Sequence, residues 1–229
     1  MIRLVCVAVG YIFGLFQTSY LYGRMKGMDI REHGSGNAGA TNALRTLGWK
    51  AGAITFLGDC FKCVFAVLLV RFLFDRLYPG ENIGVLLGMY AALGVILGHN
   101  FPCYLKFHGG KGISATAGLF LSLDPLLTLG ALILFAGSVG LTRYVSLGSI
   151  LVSIWLPVGV VLYGVTGRWG LAQGHLYEMY AIAVFLCAMA LFRHRKNIHG
   201  LLTGTERKQN RSDTPTRTCV VLDSLPAEI

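Results

Sequence analysis

The sequence predicts an all-α integral membrane protein, a bundle of seven transmembrane helices of which one is short. Three observations carry this. Of 229 residues, 54% are hydrophobic and only 14% charged, where soluble domains run at about one quarter charged. Mean hydropathy is +0.60. The charge deficit is also concentrated: residues 2–22, 51–70, 83–101 and 177–192 hold few or no charges, and about 20 apolar residues span a hydrocarbon core as a helix. A backbone inside a bilayer must satisfy its own hydrogen bonds, and the short alternating segments of a barrel are not present, so these runs are read as helices.

Taken in order, residues 2–22 form a retained first helix. Arg3 stands near its start, but no small-x-small cleavage site follows. After a polar stretch over 24–50, residues 51–74 and 83–101 give the second and third helices, with Asp75, Pro79, Gly80 and Glu81 between them. The next run, 113–141, is interrupted by Asp124-Pro125. Proline disfavours helix in the residue before it, so the run splits into 112–123 and 125–141. Twelve residues rise only about 18 Å, short of a core of about 30 Å, which makes the first piece the short helix. Residues 145–165 and 177–192 complete the set.

Three loops rich in glycine, base and amide separate these runs, at 34–48, 98–112 and 193–206. The net charge is +9 with 20 basic residues, and positive loops stay in the cytoplasm. All three then lie inside, an even number of crossings separates each pair, and the split at Asp124-Pro125 is what restores that parity. The amino end falls outside and the carboxyl end in the cytoplasm. Arg143 falls inside, in keeping with the rule, and Arg168 outside as a mild exception. Residues 1–206 form one membrane domain. Residues 207–229 are polar and basic without periodicity, a flexible cytoplasmic tail.

Some classes are disfavoured at once. Bases confined to short loops argue against a nucleic-acid partner. No internal repeat supports a transporter built from inverted halves. Cys6, Cys60, Cys63, Cys103, Cys187 and Cys219 make no disulfide framework. The pair Cys60 and Cys63 begins an apolar helix with no second pair or histidine nearby, so helix packing is its reading.

The first loop reads Gly34-Ser35-Gly36-Asn37-Ala38-Gly39-Ala40-Thr41-Asn42, then Arg45 and Gly48. Glycines admit positive φ and close approach, and successive N–H groups can form an anion nest. Ser35, Asn37, Thr41 and Asn42 add neutral donors. Thr41, Asn42 and Arg45 share a face if the piece is helical. A loop kept only for flexibility leaves so many donors unexplained. The second loop reads Gly98-His99-Asn100-Phe101-Pro102, then Phe107-His108-Gly109-Gly110-Lys111-Gly112. Lys111 lies among glycines before the short helix, and a helix amino end attracts anions. Gly112 follows the lysine where a Walker A loop needs Ser or Thr, so nucleotide hydrolysis is not implied. His99 is either an interfacial histidine or a donor or base near these cradles; His108 is a solvated loop residue. In the third loop His194 and Asn197 stand three apart, followed by Gly204 and Glu206, while Arg195 and Lys196 read as ordinary membrane anchors. Asp59 and Lys62, three apart in the second helix, read mainly as a buried structural pair.

Together the loops resemble the bacterial membrane family of acyl-phosphate:glycerol-3-phosphate acyltransferases. Ser35-Gly36-Asn37-x-Gly39-Ala40-Thr41-Asn42-x-x-Arg45-x-x-Gly48 is similar to its first motif. Gly98-His99-x-Phe101-Pro102 with Gly109-Gly110-Lys111-Gly112 is similar to its second, and His194-x-x-Asn197-Ile198 with Gly204-x-Glu206 to its third. The resemblance covers residues 1–207. Gly200 stands where the family usually has Arg, Cys63 where it has Gly, and Ser114-Ala115-Thr116 reorders its small residues.

The resemblance implies transfer of an acyl group from acyl phosphate to the 1-hydroxyl of glycerol 3-phosphate, the first step of phospholipid synthesis, at the cytoplasmic side of a bacterial cell membrane. It implies a seven-helix fold, no metal or nucleotide cofactor, membrane lipid as surroundings, and functional coupling to the enzyme that makes acyl phosphate. Ser35, His99, Lys111 and Asn197 are then the expected catalytic residues. Gly36, Asn37, Thr41, Asn42, Arg45, Gly109, Gly110, Lys111, Gly112 and His194 are the expected phosphate binders, supported by Asp59, Lys62 and Glu206. Ser35, or the N–H groups around Gly36 and Asn37, are oxyanion donors in this reading, with His99 or a substrate phosphate taking the proton. The rival is a membrane carrier or channel for a phosphorylated solute, which also predicts glycine cradles at broken helices.

Overall fold

The computed structural model describes residues 1–78 and 83–209. Pro79, Gly80 and Glu81 of the anticipated turn, Cys219, and the tail from residue 210 on lie outside the described residues. The described chain is helical: α1 (Ile2–Gly14), α2 (Thr18–Met25), α3 (Ala40–Leu47), α4 (Trp49–Leu77), α5 (Gly84–Asn100), α6 (Ile113–Leu123), α7 (Pro125–Thr142), α8 (Val145–Val165), α9 (Gln173–Arg193) and α10 (Arg195–Leu202). Among the described residues six helical segments are long and apolar enough to cross a membrane, the first joining α1 and α2. The short apolar α6 stands beside them. It rises about 16 Å, against about 31 Å for α8.

The division of 113–141 has a local cause. The Asp124 side chain accepts from the N–H groups of Leu126 and Leu127, capping α7, and Pro125 occupies the first turn, where its missing N–H costs nothing. Asp124 also takes the Tyr163 hydroxyl at 2.8 Å and pairs with Arg168 at 3.1 Å. The arginine that the charge rule left as an exception is thus held by this cap.

The first span differs from the uninterrupted helix expected over 2–22. It breaks between α1 and α2 because Gln17 is fully buried there and turns its amide across the fold, donating to Gly14 O (3.2 Å), Gly98 O (3.3 Å) and His99 O (3.0 Å). Two short helices, α3, which the sequence reading left conditional, and α10, lie within the first and third loops.

Helix α5 is the hub, packing on α1, α4, α6 and α9, and 72% of its span is buried. Its approach to α1 is made by four glycines. Gly10 and Gly14 of α1 lie against Ala91, Val95 and Gly98, while Gly94 and Gly98 of α5 lie against Val7, Tyr11 and Gly14; a Cβ at any of them would meet backbone. Two small-xxx-small faces thus let two backbones touch, the packing lipid-bound helices favour. On the other side of the hub, Gly118 of α6 leaves room for Cys63 of α4, so the cysteines serve packing there.

Candidate active site

The three loops meet at one end of α5. Gly110 of the second lies between the His99 ring and the carbonyl of Ala38 in the first, with no room for a Cβ on either side. Lys111 Nζ donates to Asn197 Oδ1 of the third at 2.5 Å, and Asn197 Nδ2 donates onward to Glu206 Oε1 at 2.8 Å. Burial pushes the Lys111 ammonium down to about 8, with the charges of Arg193 and Arg45 adding to the depression and Glu206 opposing it. Arg45 and Lys111, 66 residues apart by number, are therefore close enough for their charges to interact.

In the first loop, Gly34 and Gly36 adopt φ of +61° and +69°, so the chain doubles back around an exposed Ser35. Asn42 is 2% exposed, and its amide is spent inside the loop. Oδ1 accepts from Ser35 N (2.8 Å), and Nδ2 donates to Ile30 O and His33 O, both at 3.0 Å. Asn42 thus pins the loop, while Thr41 and Arg45 stay half-buried on the α3 surface. The Gly36 N–H closes a turn on His33 O at 3.0 Å. Among the loop's expected oxyanion donors, the Ser35 hydroxyl and the Asn37 N–H remain uncommitted.

The second loop is likewise held by its own backbone bonds. The Gly109 and Gly110 N–H groups bond to Asn100 O (3.2 Å) and His99 O (3.0 Å). Their carbonyls both receive Arg193 Nη2, at 3.1 and 2.6 Å. Both glycine N–H groups are engaged within the protein here, and the absent side chains permit close packing. The donors left to an anion are Lys111 Nζ and the first N–H groups of α6. Gly112, at φ +83°, opens that helix and accepts from Thr116 N.

His194 is 3% exposed. Its Nδ1 lies 2.8 Å from Ala190 O, an atom that only accepts, so Nδ1 carries the proton and Nε2 a lone pair. Burial, with Lys111 nearby, pushes this imidazole down to about 4. It is neutral at ordinary pH in this setting, with Nε2 as the acceptor edge. His99 lies in a buried cluster with Asp59 and Lys62: Lys62 Nζ reaches Asp59 Oδ1 at 2.8 Å and His99 Nδ1 at 2.9 Å. His108 is exposed, as expected of a loop residue.

The chain matches the family described as Glycerol-3-phosphate acyltransferase over residues 4–204. It is 43% identical over 206 residues to the glycerol-3-phosphate acyltransferase of Clostridioides difficile, covering 90% of this chain and 94% of that one. It belongs to the glycerol-3-phosphate acyltransferase family. Two solved structures agree. One is PlsY (YgiH), an integral membrane glycerol 3-phosphate acyltransferase, in its glycerol 3-phosphate form: TM-score 0.76 at 30% identity, over 91% of this chain and 96% of that one. The other is the lysophosphatidic acid form, with TM-score 0.74 at 29% identity, over 91% and 95%. The chain is a multi-pass integral membrane protein of this family.

Within this acyltransferase, Arg193 is a residue that sequence reasoning left out and that the structure ties to the second loop. A base at the end of an apolar helix looks like a membrane anchor, and only its reach across to Gly109 and Gly110 marks it out. At Gly200 a Cβ would stand 2.9 Å from Glu206 Oε2, and the Gly200 carbonyl holds the N–H of Glu206 at 3.0 Å. The absent side chain thus lets Glu206 fold back toward Asn197.

Proposed function

We propose that this chain transfers the acyl group of an acyl phosphate to the 1-hydroxyl of glycerol 3-phosphate. The products are 1-acylglycerol 3-phosphate (lysophosphatidic acid) and inorganic phosphate, and the site faces the cytoplasm of a bacterial cell whose membrane the chain crosses seven times, amino end outside. One observation carries the reading: three loops converge so that Arg45 and Lys111 act on each other electrostatically beside neutral donors. Acyl transfer between these partners needs two phosphoryl groups held next to one carbonyl. A guanidinium suits two-point phosphate binding, and an ammonium supplies a point charge.

In this reading the hydroxyl oxygen attacks the acyl carbonyl carbon, the bond from that carbon to the phosphate oxygen breaks, and the departing phosphate takes the hydroxyl proton. Phosphate leaves readily, so holding both partners in register supplies much of the rate. Ser35 and the Asn37 N–H stabilise the oxyanion. Lys111, oriented by Asn197 and through it by Glu206, holds phosphate at the start of α6. The acyl tail has a route as well. A groove of about 430 Å³ runs from Thr41 and Leu44 of α3 past Phe56 of α4 to Phe135 and Val139 of α7, apolar and open where lipid would surround the helices.

Purified protein incubated with palmitoyl phosphate and glycerol 3-phosphate should form lysophosphatidic acid and release one phosphate per acyl group transferred. Equal product from acyl-CoA or acyl carrier protein would overturn the donor assignment. Glycerol 3-phosphate flux across liposomes without acyl phosphate would favour a carrier. Single cysteines placed at Ser35 and Lys106 should label only from the cytoplasmic side. Truncation after Gln209 should leave turnover intact if the membrane domain is sufficient.

A further inference from the structure

The buried pair on α4 has a third member. Lys62 Nζ donates to Phe16 O at 2.6 Å, to Asp59 Oδ1 at 2.8 Å and to His99 Nδ1 at 2.9 Å, with Gly14 O farther off at 3.4 Å. Lys62, Asp59 and His99 are 5%, 1% and 2% exposed. An ammonium has three protons and no lone pair, and here each proton has an acceptor at close range. His99 Nδ1 must therefore be the acceptor in its pair, and the ring proton resides on Nε2. The Nε2 edge lies against Gly110, in the space a Cβ would fill, beside the Ala38 carbonyl. That is where the first two loops meet.

We propose that Asp59 and Lys62 are positioning residues that lock His99 as a donor-only imidazole, its Nε2–H aimed at a substrate oxygen between the first and second loops. This deepens the proposed function, on whose substrates it rests, and it removes His99 from the role of general base. Protonating Nδ1 would set one cation against another at 2.9 Å. The charged groups facing His99 are Lys62 and Asp59 from α4 and Arg193 from α9. The Asp59 carboxylate, which also takes the Thr18 hydroxyl at 3.1 Å, pairs with Lys62 at 2.8 Å in this apolar setting. The arrangement fixes a tautomer through the nitrogen that faces away from the ligand, as a carboxylate or carbonyl does at other histidine sites.

The decisive variants are His99→Gln and His99→Ala. Glutamine can place an amide N–H near the Nε2 position but cannot act as a base. His99→Ala should lower kcat/KM by about 100-fold or more, the scale of one lost transition-state donor, while His99→Gln should return to within about tenfold of wild type. His99→Gln should also keep the wild-type pH profile. A glutamine variant as inactive as the alanine one, or one that loses an acid limb seen in wild type, overturns the proposal. Asp59→Asn with Lys62→Met removes the lock without stranding a charge. It should reduce turnover when His99 is present and change nothing further in the His99→Gln background; equal losses in both would mean a merely structural pair. A readout free of turnover is the ¹⁵N spectrum of ring-labelled protein in liposomes, with the His99 signals assigned by their absence in His99→Gln. It should show Nδ1 bare and Nε2 protonated from pH 6 to 8, and the opposite tautomer would end the proposal. Failure of wild type to use palmitoyl phosphate would instead count against the donor assignment and leave the tautomer result standing.

Discussion

Replacing Lys111 by alanine removes the charge assigned to the second phosphate. Its folded value of about 8, down from 10.5, corresponds to about 3 kcal/mol against the ammonium at 1.36 kcal/mol per unit. That strain falls when a phosphate docks, because an adjacent dianion favours the charged form. One proton of the ammonium is committed to Asn197, leaving two for ligand oxygens. A charge-assisted hydrogen bond contributes about 1.5–3 kcal/mol, or roughly 10- to 150-fold, and a site that stabilises a departing phosphate uses it more fully than a binding site does. Lys111→Ala should therefore lower kcat/KM by at least about 100-fold with the melting temperature in detergent unchanged or raised. The pH dependence has a definite sign. A lysine loses charge as pH rises through its folded value, so wild-type kcat/KM should be flat near pH 7 and fall about tenfold per unit above about 8. The break in kcat should come at higher pH, since bound phosphate holds the proton. Lys111→Arg should abolish that limb up to pH 9.5. The assay is phosphate release from palmitoyl phosphate dependent on glycerol 3-phosphate. Alanine activity within threefold of wild type, or an unchanged limb in the arginine variant, would refute the reasoning.

Arg193→Met frees the carbonyls of Gly109 and Gly110 and should lower both melting temperature and activity, at a cost of about 2 kcal/mol for the half-buried charged hydrogen bonds; Arg193→Lys, lacking the two-carbonyl reach, should recover only part. Asn42→Ala leaves Ile30 O, His33 O and Ser35 N without their partner and should raise KM for glycerol 3-phosphate by about tenfold or more. Asn42→Asp should do no better than alanine, because it sets carboxylate oxygens against two carbonyls. Gly94→Ala, forced against the Val7 carbonyl of α1, should destabilise by about 1–3 kcal/mol in a thermal-shift assay. Gly137→Ala, with nothing within 4 Å of its Cβ, should be neutral.

The sequence by itself determined the helical membrane class, the approximate places of six apolar spans and the short α6. A bilayer imposes a length of apolar chain and an internally hydrogen-bonded backbone on each crossing, and both constraints are local, so periodicity and Asp124-Pro125 suffice to read them. What only the tertiary structure decided is which polar groups in the three loops are free. The backbone groups of Gly109 and Gly110 are taken up by His99, Asn100 and Arg193, which no local pattern shows. Asn42 turns its amide inward to Ile30, His33 and Ser35, and Lys62 looks merely paired until its third proton reaches His99, 37 residues on. The break after Gly14 likewise follows from one buried glutamine bonding to α5. Hydrogen-bond capacity is finite, and whether a donor is spent depends on partners brought close by packing rather than by the chain.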